Sequence, residues 1–456
     1  MGSTGCSGIS RTTSGCGRSP TDGRHANRTL GVSIQPMIGE VVKRKTAKGV
    51  SLALGLALFA TACGGDDGGD GSEGASGEDI VIGVAGARVG AIANVGEGVG
   101  EAVTDWFEMV NANGGINGRK VKIEEIETKY EVPPALEAFA RFQQSNAVLV
   151  AVEGTATSDA LTPVSEQSKI PIMFPGQGNL ETVDGEAFPY AFPAGPLYAH
   201  QATAMVQQQV EELGTDISIG CVAWEPPPGR EYCAGVKDAT DDLGAEFAGE
   251  VVIPAAAADL DAQVRDTVAL DADVVLHAAI FGQAVLLLKG LCDQAPDLPV
   301  GAWHWAITQN EIKGAGAECM EGKFGTSMST LPSDDPEAVQ MLRDYWEESG
   351  TDPNPVLDEN SLYGNGLYIA VVIEEAIRQA LEIVGDDGEV TGEVMKQALE
   401  SIEDYEGYGV TCPITITEKD HSGNRALNIY QIRDGGWDRI GECVTGPPVT
   451  DEPDVS

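Results

Sequence analysis

From Asp79 onward the hydrophobic period of this chain switches back and forth between short buried runs and long one-sided helical stripes. Ile80 to Val84 reads as a strand buried on both faces. After it, Val95, Val99, Ala102, Val103, Trp106 and Val110 fall at helical spacing. Asn113-Gly114-Gly115 ends that helix, since glycine takes the left-handed conformation at a C-cap. Lys120 to Ile126 reads as a second strand, Pro133-Pro134 opens a second helix, and Ala147 to Val152 and Ile170 to Phe174 are further strands. Strand alternating with helix requires a parallel sheet covered on both faces. The pattern restarts after about residue 196, with strands at Ile217 to Ala223, Phe247 to Ile253, Asp273 to Ala279 and Pro299 to Trp303. Two sets of four predict two similar α/β lobes. Long helices follow at Pro336 to Ser349 and Leu362 to Val384, then short strands at Cys412 to Thr417 and Ala426 to Ile432. Late helices and late strands complete both lobes if the chain crosses between them more than once.

The first 78 residues have a different character. Lys43, Arg44, Lys45 and Lys48 precede the apolar run Gly49 to Ala62, which is too short to span a bilayer and fits a signal-peptide core. It ends in Ala60-Thr61-Ala62-Cys63, which resembles a lipobox, with Ala60 in place of the usual Leu. Cys63 is the expected lipidation site, on the outer face of the cytoplasmic membrane. Residues 1–36 fit no signal peptide; Met37 is the expected true start, with a cytoplasmic extension as the alternative. Residues 63–78 are Gly-rich and acidic, a composition that buries nothing and self-repels, as a tether does.

Charge narrows the function. The chain has 28 Lys+Arg against 71 Asp+Glu; eight of the basic residues and two of the acids precede Cys63, so the remainder carries −49. Such a surface repels phosphate backbones, which excludes nucleic acid as a partner. Of nine cysteines, six lie in the body: Cys221, Cys233, Cys292, Cys319, Cys412 and Cys443. None forms a CxxC pair, so a zinc site is not expected. An even number in an exported chain points to disulfides. Fifteen connectivities are possible; pairing in sequence order closes short local loops and is the expectation, against buried free thiols. Gly83, Gly86 and Gly90 lack the spacing of a dinucleotide loop, no GxSxG elbow occurs, and the five histidines are scattered. No cofactor and no enzymatic activity are expected.

The stretch Val110-Asn111-Ala112-Asn113-Gly114-Gly115-Ile116-Asn117-Gly118-Arg119-Lys120-Val121 resembles the opening of the Leu/Ile/Val-binding family, type I periplasmic binding proteins that serve ABC importers. Ile170-Pro171-Ile172, Ala272 to Leu276 and Asp434-Gly435-Gly436-Trp437 extend the resemblance over residues 79–443. It implies two Rossmann-like lobes with parallel sheets, joined by three hinge crossings and closing over a ligand. Crossings are placed near Phe192-Pro193, Phe324-Gly325 and Tyr408-Gly409. Lobe one is then 79–193 with 325–408, lobe two 194–324 with 409–443, and 444–456 a flexible tail. Ligands sit at the carboxyl ends of the strands. The resemblance therefore nominates Arg88, Val89 and Gly90 after the first strand, with Arg88 either clamping a carboxylate or pairing with a surface acid. Thr155, Ala156 and Thr157 follow the third strand and Gly176 and Gln177 the fourth, as carboxylate and amide contacts. Trp224, Phe281, Trp303 and His304 come from the second lobe, where Trp303-His304-Trp305 forms either a stacking wall or interlobe packing. Pro228-Gly229 stands where the family often has a Tyr-Gly pair. The expected cargo is an amino acid, amide or aromatic acid, delivered to an ABC importer permease; a sensory lipoprotein with the same grip is the alternative.

Overall fold

The computed structural model describes residues 78–450, 452, 453 and 455, apart from Ala91; the lipobox, Cys63 and nearly all of the tether lie outside the described residues. The first lobe opens with β1 (Ile80–Gly86), α1 (Ala93–Ala112), β2 (Val121–Glu127), α2 (Val132–Gln144), β3 (Leu149–Val152), α3 (Thr155–Ser168), β4 (Ile172–Met173) and β5 (Ala191–Phe192). Its sheet runs β2-β1-β3-β4-β5, parallel throughout. Side chains alternate across it. Ile80, Ile82, Val84, Leu149, Ala151, Met173 and Phe192 join one core; Ala85, Val150, Val152, Ile172 and Ala191 join another with Phe139 and Phe142 of α2. Both faces being apolar is why these strands read as unbroken runs. Gly83 keeps the second core tight: a Cβ there would lie 2.7 Å from the Phe142 ring.

The second lobe begins with α4 (Tyr198–Leu213), β6 (Ser218–Trp224), α5 (Pro227–Leu243), β7 (Glu246–Ile253), α6 (Asp261–Val268) and β8 (Val274–His277). It continues with α7 (Phe281–Gln294), β9 (Val300–Ala302), α8 (Gln309–Ala315), α9 (Ala317–Met320) and β10 (Phe324–Ser327). The chain then returns to the first lobe for α10 (Glu337–Ser349), α11 (Val356–Glu359), α12 (Tyr363–Val384) and α13 (Gly392–Leu399). It ends in the hairpin β11 (Ala426–Arg433) and β12 (Gly436–Thr445) of the second lobe. That sheet runs β12-β11-β10-β9-β8-β6-β7, parallel except where β11 pairs antiparallel with β10 and β12. Asp434 (φ 52°) and Gly435 (φ 79°) supply the two left-handed residues that a tight hairpin turn needs. On the first lobe, α12 packs on α1 at close range, since a Cβ on Gly366 would come within 2.5 Å of the Val99 carbonyl. Trp106 Nε1 donates to Glu374 Oε2 across this contact at 2.8 Å.

Three boundaries differ from the sequence reading. β10 pairs with β9, so the second crossing begins after Ser327, not at Phe324-Gly325. Cys412 to Thr417 forms no strand, only isolated bridges at Thr411 and Ile414; Ile414 and Ile416 are buried by packing, without a sheet neighbour. The third crossing is correspondingly longer: His421 stacks on Phe192 and bonds to the Ala191 carbonyl, and the second lobe resumes only at Ala426. The tail is docked, not flexible. Gly446 lies against the Thr203–Ala204 backbone, and Glu452 accepts from Arg425 Nε at 2.7 Å and lies 3.2 Å from His200 Nε2. Burial works against that carboxylate's charge, but His200 and Arg425 outweigh it and hold Glu452 down to about 2.

Disulfides join Cys221 to Cys233, Cys292 to Cys319 and Cys412 to Cys443, in sequence order. The first two staple β6 to α5 and α7 to α9. The third ties the last crossing to β12. Among the described residues, no helix is long and apolar enough to cross a membrane.

Candidate functional site

In each sheet the strand order reverses beside the first strand of the lobe, β1 or β6. Loops on either side of such a point diverge at the carboxyl ends and leave a crevice. The residues that follow these strands from both lobes meet there. Ile92, Val95, Tyr130 and Gln177 come from the first lobe, and Tyr198 from the start of α4; Trp224, Pro228, Ile280, Phe281, Trp303 and Trp305 come from the second. They surround about 400 Å³ of atom-free space. Six of the eleven are aromatic, and none is charged.

Local backbone geometry marks the same place. Tyr130 (φ 61°) and Phe281 (φ 42°) both take the left-handed conformation, which costs a bulky residue about 1–3 kcal/mol. Tyr130 is held there by the turn after β2, where the Glu131 N–H donates to the Thr128 carbonyl at 3.0 Å. Phe281 opens α7 immediately after β8. Strain in two lining aromatics, one per lobe, is what a pre-shaped wall requires.

The polar groups beneath the wall brace it. Gln177 Nε2 donates to the Val152 carbonyl at 2.8 Å, and its Oε1 accepts the Gly154 N–H at 2.7 Å. Thr155 Oγ1 and Tyr198 OH share a hydrogen bond at 3.0 Å, linking the lobes, and Thr155 Oγ1 also accepts the Gly178 N–H at 3.3 Å. Thr157 Oγ1 turns back onto the carbonyls of Glu153 and Gly154. The expected hydroxyl and amide contacts are therefore spent on the protein itself. What α3 still presents is its first-turn backbone, with Ala156 exposed at the end of the helix.

Arg88 is placed elsewhere than a carboxylate clamp would need. Its Nε donates to Glu125 Oε1 at 2.6 Å, Nη2 to Glu125 Oε2 at 2.8 Å, and Nη1 to Glu101. Two carboxylates hold it on the β2 side of the lobe and keep it fully cationic, since hydrogen bonds from Glu125 outweigh burial. Val89 is solvent-exposed, and Gly90 lies over the Lys129 carbonyl; neither lines the space. Gly176 is buried under His304, whose ring would sit 2.6 Å from a Cβ there. His304 packs on Trp305 with ring centroids 4.0 Å apart and forms hinge-side packing rather than wall. Burial pushes its imidazole down to about 3, so it is neutral. Of the twelve nominated residues, Gln177, Trp224, Phe281 and Trp303 line the space, Gln177 as a brace.

Tyr130, Tyr198 and Trp305 complete the wall, and sequence reasoning nominated none of the three as a ligand contact. Tyr130 follows β2 at its carboxyl end, and that position was itself a usable signal. Tyr198 follows the first crossing, at the start of a helix, and no local pattern marks it.

Burial pushes Glu153 up to about 8; its Oε2 accepts the Ala87 N–H at 2.9 Å. Glu231, one turn beyond Pro228 on α5, is pushed up to about 7 by burial, with Asp159 of α3 adding repulsion across the gap between lobes. Among the described residues no cluster of His, Cys, Asp or Glu is arranged to hold a metal ion.

Comparison with known proteins agrees with this architecture. A family model described as periplasmic binding protein matches residues 79–436. A Pseudomonas aeruginosa amino acid binding protein is 33% identical over 109 residues, which is 23% of this chain and 29% of that relative. The match thus spans under a third of that protein's length. Among solved structures, one described as an ABC transporter permease from the Pseudomonas fluorescens group superposes with TM-score 0.73 at 26% identity, covering 81% of this chain and 92% of that one. A branched-chain amino acid ABC transporter protein from Thermus thermophilus with bound valine gives 0.70 at 20% identity, over 80% and 97% of the two chains. A fatty acid ABC transporter substrate-binding protein from Thermomonospora curvata gives 0.68 at 21%, over 84% and 94%. The last two show the fold alone. With the family model spanning most of the chain and a ligand-sized crevice between two parallel-sheet lobes, this chain belongs to the periplasmic binding protein family, whose members are extracytoplasmic solute receptors of type I fold and not enzymes.

Proposed function

We propose that the protein is a lipid-anchored receptor that closes its two lobes over one small organic solute and hands it to an ABC importer permease. The observation that carries this reading is the aromatic-walled space fed by strand ends of both lobes. Closure there buries a ligand and brings together a surface that only the loaded form presents. The wall favours a solute with a flat or apolar body over a small polar one, because each stacked aromatic adds about 0.5–1.5 kcal/mol beyond the area it covers. Within the expected classes of amino acid, amide and aromatic acid, the aromatic members fit best; backbone N–H groups at the start of α3 are available to a carboxylate or an amide oxygen.

The experiment is ligand-dependent stabilisation of the wild type against Trp224→Ala. A solute that raises the wild-type melting temperature and leaves the variant's unchanged supports the site; equal stabilisation of both contradicts it. Anchoring at Cys63 rests on the lipobox-like segment and is tested separately. Cys63→Ala is expected to move the protein from the membrane fraction to the soluble fraction, and unchanged membrane retention contradicts it.

A further inference from the structure

Around the aromatic space the charges are of one sign. No Lys or Arg lines it. Arg88 is held by Glu101 and Glu125, and Arg230, on the outer side of α5, pairs with Glu250. On the acidic side, Glu231 Oε1 is buried with no hydrogen-bond partner among the described residues. Its position beside the wall follows from its neighbours. Pro228, three residues earlier on the same helix, lines the space, and Glu231 acts electrostatically on the lining Tyr198. Asp159, on α3 of the other lobe, acts on both Glu231 and the lining Tyr130. A lone carboxyl oxygen desolvated between two lobes is costly unless something donates to it.

We infer that the solute's charged end is an ammonium set against Glu231, with Asp159 facing it from the first lobe, while its aromatic or large apolar body lies among Tyr198, Trp224, Trp303 and Trp305. This inference rests on the receptor reading above and names its substrate class: an arylalkyl or bulky alkyl amine. Three features support it together. The orphaned acceptor needs a donor, the ring faces attract a cation as well as apolar surface, and no basic side chain is free to neutralise a carboxylate. Burial holds Glu231 near neutrality when no cation is present, and an arriving ammonium favours its ionised form. The uncharged donors at the start of α3 do not discriminate between a carboxylate and a neutral acceptor, so the test must.

Four probes share one phenyl-ethyl body: phenethylamine, phenethyl alcohol, hydrocinnamate and phenylalanine. Calorimetric titration of the full-length protein is expected to rank the amine first, with phenylalanine no tighter and hydrocinnamate weakest. Glu231→Gln is expected to weaken the amine about a hundredfold and leave the alcohol unchanged, the signature of a lost charge contact rather than of lost packing. Asp159→Asn, at an exposed position that cannot disturb the fold, is expected to weaken the amine alone by a smaller factor. Preference for hydrocinnamate or phenylalanine, or an amine affinity insensitive to Glu231→Gln, overturns the inference. Silence of all four probes beside a clear response to leucine or a fatty acid overturns it too, and leaves the receptor reading standing. Silence toward every solute overturns both.

Discussion

At Glu153 the chain folds a carboxyl beneath the loop that follows β1, where burial holds it protonated up to about pH 8. In the unfolded chain the same group ionises near 4.5. Its folded value is raised, so its contribution is intact below 4.5 and is lost as pH rises toward 8. Each pH unit in that window costs about 1.4 kcal/mol. Glu153→Gln is expected to flatten the alkaline fall in stability and raise the melting temperature at pH 8.5, measured by calorimetry across pH; a wild-type slope in the variant contradicts this. His277 and His304 act at the other end. Both are fully buried and pushed down to about 3, so their contribution is intact above 6.5 and is lost progressively as pH falls. Denaturant unfolding is expected to show lower stability at pH 5 than at pH 7. Residue by residue, the site was partly legible. Trp224, Phe281 and Trp303 were found because they end strands, and a strand end is visible in sequence. The inward bonding of Gln177, Thr155 and Thr157, and the pairing of Arg88 with Glu101 and Glu125, depend on contacts up to 43 residues away, which no local pattern encodes.

The elements follow the apolar pattern where burial is two-sided. β1, β3, β6 and β8 were readable because helices cover both faces and leave continuous apolar runs. β12 was not, since it is an edge strand whose residues are mostly exposed or half-exposed. β10 was missed because Phe-Gly-Thr-Ser carries no strand signature and is buried only by its neighbours β9 and β11. Cys412 to Thr417 shows the reverse error: Ile414 and Ile416 alternate like a strand but are buried without a partner strand. Two element-scale outcomes follow. Gly83→Ala is expected to destabilise the first lobe by about 1–3 kcal/mol, read from denaturant unfolding, because its methyl would press into the Phe142 ring. Truncation after Thr445 is expected to lower the melting temperature by several degrees, since it strips Glu452 from Arg425 and His200, and losing one partner of a buried ion pair costs about 3–5 kcal/mol. A truncated protein as stable as the full chain would mean that the tail only rests on the surface.

At the scale of the whole molecule, all three crossings run side by side at the hinge, where the Ser329–Thr411 and Asp184–Asp420 bridges bind them to one another and to the first lobe. The Cys412–Cys443 disulfide then ties the last crossing to the outermost strand of the second lobe. Closure must bend these segments while both sheets stay rigid, so the two lobes move as bodies. Two-lobed α/β architecture and order of the disulfides were legible in the sequence; the lengths of the crossings were not, because a crossing is defined by which sheet the chain joins next. The most direct test of the account is small-angle scattering of the full-length protein with and without a solute that raises its melting temperature. The account expects a smaller radius of gyration in the loaded state, and no such change in Trp224→Ala at the same solute concentration. A solute that stabilises the protein while leaving its dimensions unchanged would contradict closure between the lobes as the mechanism of capture.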